Sequence, residues 1–171
     1  TGTVGNVKLE YSTDGGTTYP NVITASVDSA LGTYSWTIPD NPSTLTRVKV
    51  TSTTDSTVAD ISNANFNIVG TLFLGAPNGG EVWIVGASQN ITWTKNGNIG
   101  TVKFEYSTNG GSSYPNTITT GISASALTYS WTIPDAIETD LRVRITDEAN
   151  ANVSDESAAN FEIKGSLTVT S

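Results

Sequence analysis

The chain has 171 residues, no Cys, Met or His, and 16 acidic against 8 basic residues, which gives a formal net charge of −8. This charge argues against nucleic acid and anionic membrane surfaces as partners, because both are negatively charged themselves. No apolar run approaches the roughly 20 residues of a membrane-spanning helix, so no membrane insertion is expected. Without His and Cys the commonest catalytic bases and nucleophiles are missing, and the composition therefore argues against an enzyme.

The remaining composition favours an exported protein. Ser and Thr make up roughly a quarter of the chain and Gly and Asn are abundant, which is typical of β-rich surface proteins. We therefore expect an extracellular or cell-surface location. Because the chain contains no Met, we also expect a processed protein or a piece of a longer one.

The chain repeats itself at an offset of 95 residues. Residues 8–20 read KLEYSTDGGTTYP and residues 103–115 read KFEYSTNGGSSYP, while YSWTIPD occurs both at 34–40 and at 129–135. Residues 1–76 correspond to 96–171 without a gap, with about half of the positions identical. A period of this length indicates tandem copies of one domain.

The apolar residues alternate with a period of two, which is the pattern of half-buried strands. Val7, Leu9 and Tyr11, for example, alternate with Lys8 and Glu10. In the complete copy the predicted strands lie near 71–76, 81–85, 89–95, 101–108, 113–119, 127–133, 141–147 and 158–164. Its predicted core consists of Val82, Ile84, Ile91, Trp93, Val102, Phe104, Tyr106, Tyr129, Trp131, Ile133, Val143, Ile145, Phe161 and Ile163. Short strands separated by turns at this spacing predict an all-β fold of tandem immunoglobulin-like or fibronectin-like β-sandwiches, about 95 residues per repeat.

The offset also predicts the domain boundaries. Residues 1–70 are predicted to be an Ig-like β-sandwich repeat without its first strands, and residues 71–165 a complete repeat. Residues 166–171 are interpreted as the first strand of a further repeat or as a donated strand. Copy one lacks the equivalent of residues 71–95, so we expect Tyr34, Trp36, Val48 and Phe66 to be poorly covered. Residues outside the chain or a neighbouring subunit would complete it.

Two glycine-rich turns are interpreted as structural. They comprise Asp14, Gly15 and Gly16 in copy one, and Asn109, Gly110 and Gly111 in copy two. Residues 12–19 also match the Asp-box pattern of sialidases, in which the Asp side chain bonds the amides of a turn. No acid, arginine and tyrosine site accompanies the pattern, so a stabilised hairpin is the preferred interpretation.

Acidic residues cluster in the connection before the last strand of each copy. They are Asp55 and Asp60 in copy one, and Asp147, Glu148, Asp155 and Glu156 in copy two. Calcium needs six to eight oxygen ligands, but the ordered calcium-loop signature is absent, so a solvated loop is favoured and no metal or cofactor site is assigned. Glu10 with Arg47, and Glu105 with Arg142, are predicted to be cross-strand ion pairs.

Two further patterns suggest ligand binding or modification. Five aromatic residues could form a platform for sugar stacking, although the alternation places both tryptophans among them in the core: Tyr19, Tyr34, Trp36, Tyr114 and Trp131. Asn90 and Asn152 begin matches to the N-glycosylation sequon.

The run from Pro77, PNGGEVWIVGASQNITWTKNG, begins a pattern that continues with the hairpin at 107–114. A Tyr-x-Trp strand ending in Pro134 follows, and the pattern closes on Ser157, Phe161 and Ile163. These separated blocks resemble the Ig-like domains related to the amino-terminal domain of the yeast Kre/Knh cell-wall synthesis proteins. The resemblance implies an extracellular β-sandwich module of structural or adhesive use, with no catalytic residues.

The favoured function is a non-enzymatic structural repeat of an extracellular or cell-surface protein, as part of an array or filament. Its expected partners are neighbouring copies of the same repeat or subunit. The alternative is an adhesion or carbohydrate-binding module whose loops contact a ligand such as cell-surface polysaccharide. Neither function assigns catalytic or cofactor-binding residues.

Overall fold

The structure, a computed structural model, describes residues 4–167. It divides the chain into two compact units, Thr1–Val69 (unit 1) and Gly70–Ser171 (unit 2). Apart from two single-turn 3-10 helices, Ser29–Leu31 and Ala124–Ala126, all regular structure in the described residues is β-strand. The prediction of an all-β fold is confirmed. Of the predicted strand at 166–171, residues 168–171 lie outside the described residues, and residues 166–167 are not in a strand.

Fourteen strands are assigned within residues 4–167. Unit 1 contains β1 (Asn6–Ser12), β2 (Asn21–Asp28), β3 (Ser43–Ser52), β4 (Ala59–Ile61) and β5 (Phe66–Ile68). Unit 2 contains β6 (Thr71–Ala76), β7 (Val82–Ile84), β8 (Ser88–Asn96), β9 (Thr101–Ser107), β10 (Asn116–Ser123), β11 (Thr128–Thr132), β12 (Glu138–Asp147), β13 (Ser154–Glu156) and β14 (Phe161–Lys164).

Unit 2 is a closed sandwich of two sheets. The larger sheet has the order β10-β9-β12-β14-β7, with β13 also paired to β12, and the smaller sheet has the order β11-β8-β6. Alternate side chains of both sheets meet in one core, as the period-two pattern requires. Phe104 and Phe161 of the larger sheet are fully buried there, and Ile91 and Trp93 enter from the smaller one. This is the arrangement of an immunoglobulin-like or fibronectin-like sandwich.

The predicted core of the complete copy is mostly correct, with one error in β7. Val82 and Ile84 are 50% and 37% exposed, whereas Trp83 between them is 7% exposed. Trp83 is buried because its ring packs against the rings of Trp131 and Phe161, at centroid distances of 6.0 and 5.1 Å. Tyr106 and Tyr129 are only partly buried and pack against the edge of the core. The prediction omitted several buried residues, namely Leu72, Leu74, Ile99, Ala124, Leu141 and Val153.

Unit 1 contains one sheet, in the order β2-β1-β3-β4, with β5 also paired to β3. The described residues of unit 1 contain no second sheet. Its strands correspond to the larger sheet of unit 2 at the offset of 95 residues. The segment YSWTIPD illustrates the difference, because residues 34–40 contain no strand while the same sequence forms most of β11 in unit 2. A strand needs a hydrogen-bonded neighbour, and β11 has one in β8, which has no counterpart among the described residues of unit 1.

Candidate functional site

A buried serine organises each glycine-rich hairpin. The Ser12 hydroxyl donates to the Asp14 carboxylate at 2.5 Å and accepts the amide N–H groups of Asp14 and Gly16 at 3.1 and 2.9 Å. Ser107 makes the same three contacts with Asn109 and Gly111, at 2.7, 3.1 and 2.9 Å. Both serines are fully buried. The sequence showed their repetition but not their position at the centre of the turn.

The second glycine of each hairpin is required by both conformation and space. Gly16 has a φ of +91° and Gly111 a φ of +88°, in the left-handed region that favours glycine. A Cβ at Gly16 would lie 2.9 Å from the Tyr19 hydroxyl, and one at Gly111 would lie 3.1 Å from the Tyr114 hydroxyl. The tyrosine that follows each hairpin therefore folds back over its glycine, so the structure gives this aromatic a packing role.

The Asp14 carboxylate accepts hydrogen bonds from other residues of the same turn. The carboxylate accepts from the Thr18 hydroxyl at 2.6 Å and from the Thr18 amide at 3.0 Å. Hydrogen bonds from the Ser12 side chain first, and from Thr18 second, hold the pKa of Asp14 well below its ordinary value of 3.8. Asn109 occupies the same position in unit 2 and accepts from the Ser113 amide at 3.0 Å without carrying a charge.

We expect Asp14→Asn to remove a pH-dependent part of the stability of unit 1. The folded pKa is lower than the unfolded one, so the ionised carboxylate stabilises the fold above about pH 4, and this contribution is lost as the pH falls further. The difference in unfolding midpoint between wild type and Asp14→Asn should therefore shrink between pH 5 and pH 2. Denaturant unfolding at a series of pH values measures it.

The matched control is the reverse change in unit 2. Asn109→Asp should make the midpoint of unit 2 acid-sensitive in the same window, because the Ser107 and Ser113 donors are already in place. Equal pH profiles of wild type and both variants would contradict this role for the carboxylate.

Apart from Asp60, the acidic side chains of the two connections accept hydrogen bonds from their own unit. Asp155 accepts the Leu74 amide at 2.7 Å, Glu148 accepts the Gly121 amide at 3.1 Å, and Glu156 accepts the Tyr114 hydroxyl at 2.7 Å. Asp147 accepts the Ala149 amide at 3.0 Å, and Asp55 accepts the Thr57 amide at 2.9 Å. Within residues 4–167 no group of three or more acidic side chains is arranged to hold a metal ion.

The predicted ion pairs are displaced by two residues along the strands. Arg142 lies opposite Ser107, while Arg144 lies opposite Glu105 and binds it at 2.9 Å. Lys103 binds the same carboxylate at 3.0 Å. Burial of Glu105 opposes ionisation, but the Arg144 and Lys103 partners outweigh it and lower the pKa of Glu105.

Unit 1 has the same register, with Arg47 opposite Ser12 and Lys49 opposite Glu10. Glu10 pairs with Lys8 at 2.6 Å, and Arg47 donates instead to Asn65 at 2.7 Å. The strands themselves are neighbours as expected, because β1 pairs with β3 and β9 with β12. These charged groups therefore lie on the faces of their sheets, next to other strand residues.

The predicted aromatic platform is divided by the fold. Trp131 is buried in the core, and Tyr114 lies under the Arg144 guanidinium with its ring centroid 4.3 Å away. Burial and the Glu156 carboxylate raise the pKa of Tyr114. In unit 1, Tyr34 is 43% exposed and Trp36 is partly buried against Tyr11. Asn90 and Asn152, which begin the sequon matches, are both exposed.

One face of the sheet in unit 1 is apolar and exposed to solvent. Ile38 is 54% exposed and Val58 is 46% exposed, whereas the equivalent Ile133 and Val153 in unit 2 are 2% and 6% exposed. A cavity of about 260 Å³ opens on this face, lined by Val7, Leu9, Ser29, Gly32, Tyr34 and Val50 among others. The sequence predicted that this face would be exposed, because copy one lacks the equivalent of residues 71–95.

Comparison with known proteins gives limited similarity. No family model matches the chain, and no curated protein matches it. The fibronectin(III)-like modules of Clostridium thermocellum CbhA share 15% identity, with 96% of this chain and 82% of theirs covered and a TM-score of 0.40. A chimeric titin Z1Z2-Z1Z2 tandem shares 14% identity, with 98% and 87% covered and a TM-score of 0.36. At these values the fold assignment rests on the strand pairings themselves. No helix among residues 4–167 has the length and apolar character to span a membrane.

Proposed function

We propose that the chain is a non-enzymatic structural module of an extracellular or cell-surface protein, built from tandem copies of one β-sandwich repeat. The observation that supports this function best is what the two copies share. They share core positions and turns, such as the Ser12 and Ser107 hairpins with their identical contact pattern. The connections that could carry a ligand site have diverged, as residues 52–60 and 147–155 illustrate.

The chemistry of the polar groups supports the same proposal. Each carboxylate that the sequence offered as a candidate in unit 2 binds a backbone amide, a tyrosine or a basic side chain of its own unit. A general acid or base must instead be free to reach a substrate proton. We therefore expect no hydrolysis of glycoside, peptide or ester substrates by the purified chain.

Localisation tests the proposal directly. Antibodies raised against the chain should label intact, unpermeabilised cells of the source organism or their extracellular matrix, and external protease should remove the signal. Labelling only after permeabilisation would contradict the extracellular part of the proposal. Turnover of a substrate that is abolished by Glu105→Gln, with the fold retained, would contradict the non-enzymatic part.

The second candidate function, adhesion to a polysaccharide, is favoured by one observation. Tyr34 and Trp36 line a cavity of about 600 Å³ in unit 1, together with Tyr11 and Asn21. Aromatic side chains bordered by a few polar groups are a common lining of small-molecule sites, and a sugar ring is such a ligand. Binding of the chain to insoluble cell-wall polysaccharide, lost in Tyr34→Ala but retained in Tyr129→Ala, would favour adhesion over a purely structural function.

A further inference from the structure

We propose that the apolar face of unit 1 is a docking surface for a β segment with the sequence pattern of residues 71–95 of this repeat. The proposal builds on the structural-repeat function and specifies the partner. Unit 2 shows how such a face is covered, because the sheet of β11, β8 and β6 packs over it there, while β7 extends the larger sheet beside β14. Five side chains of that segment enter the core of unit 2: Leu72, Leu74, Trp83, Ile91 and Trp93.

The cavity of about 260 Å³ lies where the anchor of this segment would enter. In unit 2, Trp93 donates its indole N–H to the Ala124 carbonyl at 2.8 Å and packs on Phe104, with ring centroids 5.0 Å apart. The equivalents of Ala124 and Phe104 in unit 1 are Ser29 and Leu9, and both line the cavity. The space is therefore lined by the residues that would contact a tryptophan in a matching position.

The backbone of residues 33–37 in unit 1 is also available to pair with an added strand. In unit 2 the residues of β11 pair with β8, from Thr128 with Thr92 to Thr132 with Ser88. Residues 33–37 have the same sequence as residues 128–132 but no strand partner. The turn before them is conserved in shape, because Gly32 has a φ of 64° and Leu127 a φ of 59°. The Leu127 carbonyl accepts the Trp93 amide at 3.2 Å, so the Gly32 carbonyl can receive the equivalent bond.

Two polar side chains of unit 2 hydrogen-bond to the backbone of the segment 71–95. Asp155 of unit 2 accepts the Leu74 amide, and the buried Ser157 hydroxyl donates to the Pro77 carbonyl at 2.7 Å. The equivalents in unit 1 are Asp60 and Ser62. Among residues 4–167 the structure gives the Asp60 carboxylate no hydrogen-bond donor and the Ser62 hydroxyl no acceptor. A segment with the pattern of 71–95 would supply both.

The test adds the proposed occupant to the full chain. Because position 1 corresponds to position 96, a copy of residues 70–95 joined before Thr1 places the added segment in the register that it has in unit 2. We expect the Ile38 amide to gain protection from hydrogen exchange by at least tenfold, because the equivalent Ile133 amide donates to the Ala87 carbonyl in unit 2. An unchanged Ile38 amide would overturn the proposal, as would an equal gain from a matched extension in which Trp93 and Ile91 of the added copy are replaced by Asp.

A second variant tests the polar edge. Asp60→Ala should reduce the protection gained by the extended chain by about tenfold, because the added segment loses a charged acceptor, and should leave the parent chain unchanged. An equal loss in both chains would assign Asp60 to unit 1 alone and contradict its role in docking.

Sedimentation of the chain without the extension tests the alternative occupant, which is the apolar face of a second copy. If two copies closed their faces on each other, the parent would form a dimer that protects Ile38 without any extension, and this result would overturn the proposal. A monomeric parent supports it. Failure of the extension experiment would leave the surface labelling of cells unaffected, so failure of the docking proposal is distinguishable from failure of the proposed function.

Discussion

Phe161→Ala should lower the free energy of unfolding of unit 2 by about 3–5 kcal/mol, whereas Phe66→Ala should lower that of unit 1 by only about 1–2 kcal/mol. The two residues occupy the same position of the repeat. Phe161 is fully buried and lies 5.1 Å from Trp83 between ring centroids. Phe66 is only partly buried, and its ring lies 6.4 Å from that of Trp36. The cost of truncation follows the apolar surface that each ring buries, which is smaller on an uncovered face.

The measurement is denaturant unfolding followed by residue-specific NMR signals of each unit. Val7 and Val102 provide reporters at equivalent positions, because both are buried in their own sheet. Each substitution should shift only the transition of its own unit. Equal losses of stability from the two substitutions would show that the face of unit 1 is covered as fully as that of unit 2.

Trp93→Ala is expected to have the other large effect, a loss of about 3–5 kcal/mol in unit 2. Trp93 is 2% exposed, and its indole N–H satisfies the Ala124 carbonyl inside the core. Removal of the ring leaves both a cavity and an unpaired buried carbonyl. Unit 1 has no counterpart of β8 among its described residues, so its own transition should not move.

Trp93→Phe separates the two contributions. It retains most of the ring but loses the hydrogen bond, so we expect a smaller cost of about 1–3 kcal/mol. Thermal or denaturant unfolding with fluorescence detection of the remaining tryptophans measures both variants. A Trp93→Phe variant as unstable as Trp93→Ala would assign the whole effect to the hydrogen bond and contradict the packing role of the ring.

The sequence predicted most strands because their signals are local. Alternation and glycine-rich turns lie within each segment, and the repeated blocks carried the assignment from one copy to the other. The error in β7 has a physical cause. The short strand Val82–Ile84 pairs only with β14, at the end of its sheet, and its large aromatic residue points to the core while its branched residues remain exposed. Alternation over three residues does not reveal which set faces inward.

Other details depend on interactions between distant segments. YSWTIPD is identical in both units, yet it forms most of a strand only where β8 lies beside it. No local propensity can predict that difference. The partners of Glu105 could not be deduced either, because the choice between Arg142 and Arg144 depends on the register of β9 and β12.

The sequence predicted that the apolar face of unit 1 is exposed, but not which residues line it. Comparison of the copies showed that the equivalent of residues 71–95 is missing from copy one. The structure shows a cavity beside Ser29. It also shows that the Asp60 carboxylate accepts no hydrogen bond within residues 4–167. Both depend on side-chain directions, which the alignment of the copies does not contain.

Amide hydrogen exchange of the two YSWTIPD segments measures directly whether the apolar face of unit 1 is open. Their sequences are identical and each follows a threonine, so the intrinsic exchange rates of their amides are the same. In unit 2 the Ile133 amide donates to the Ala87 carbonyl at 2.9 Å, and residues 128–132 pair with β8. We expect strong protection within residues 129–133 and little within residues 34–38. Equal protection of the two segments would contradict an open face in unit 1.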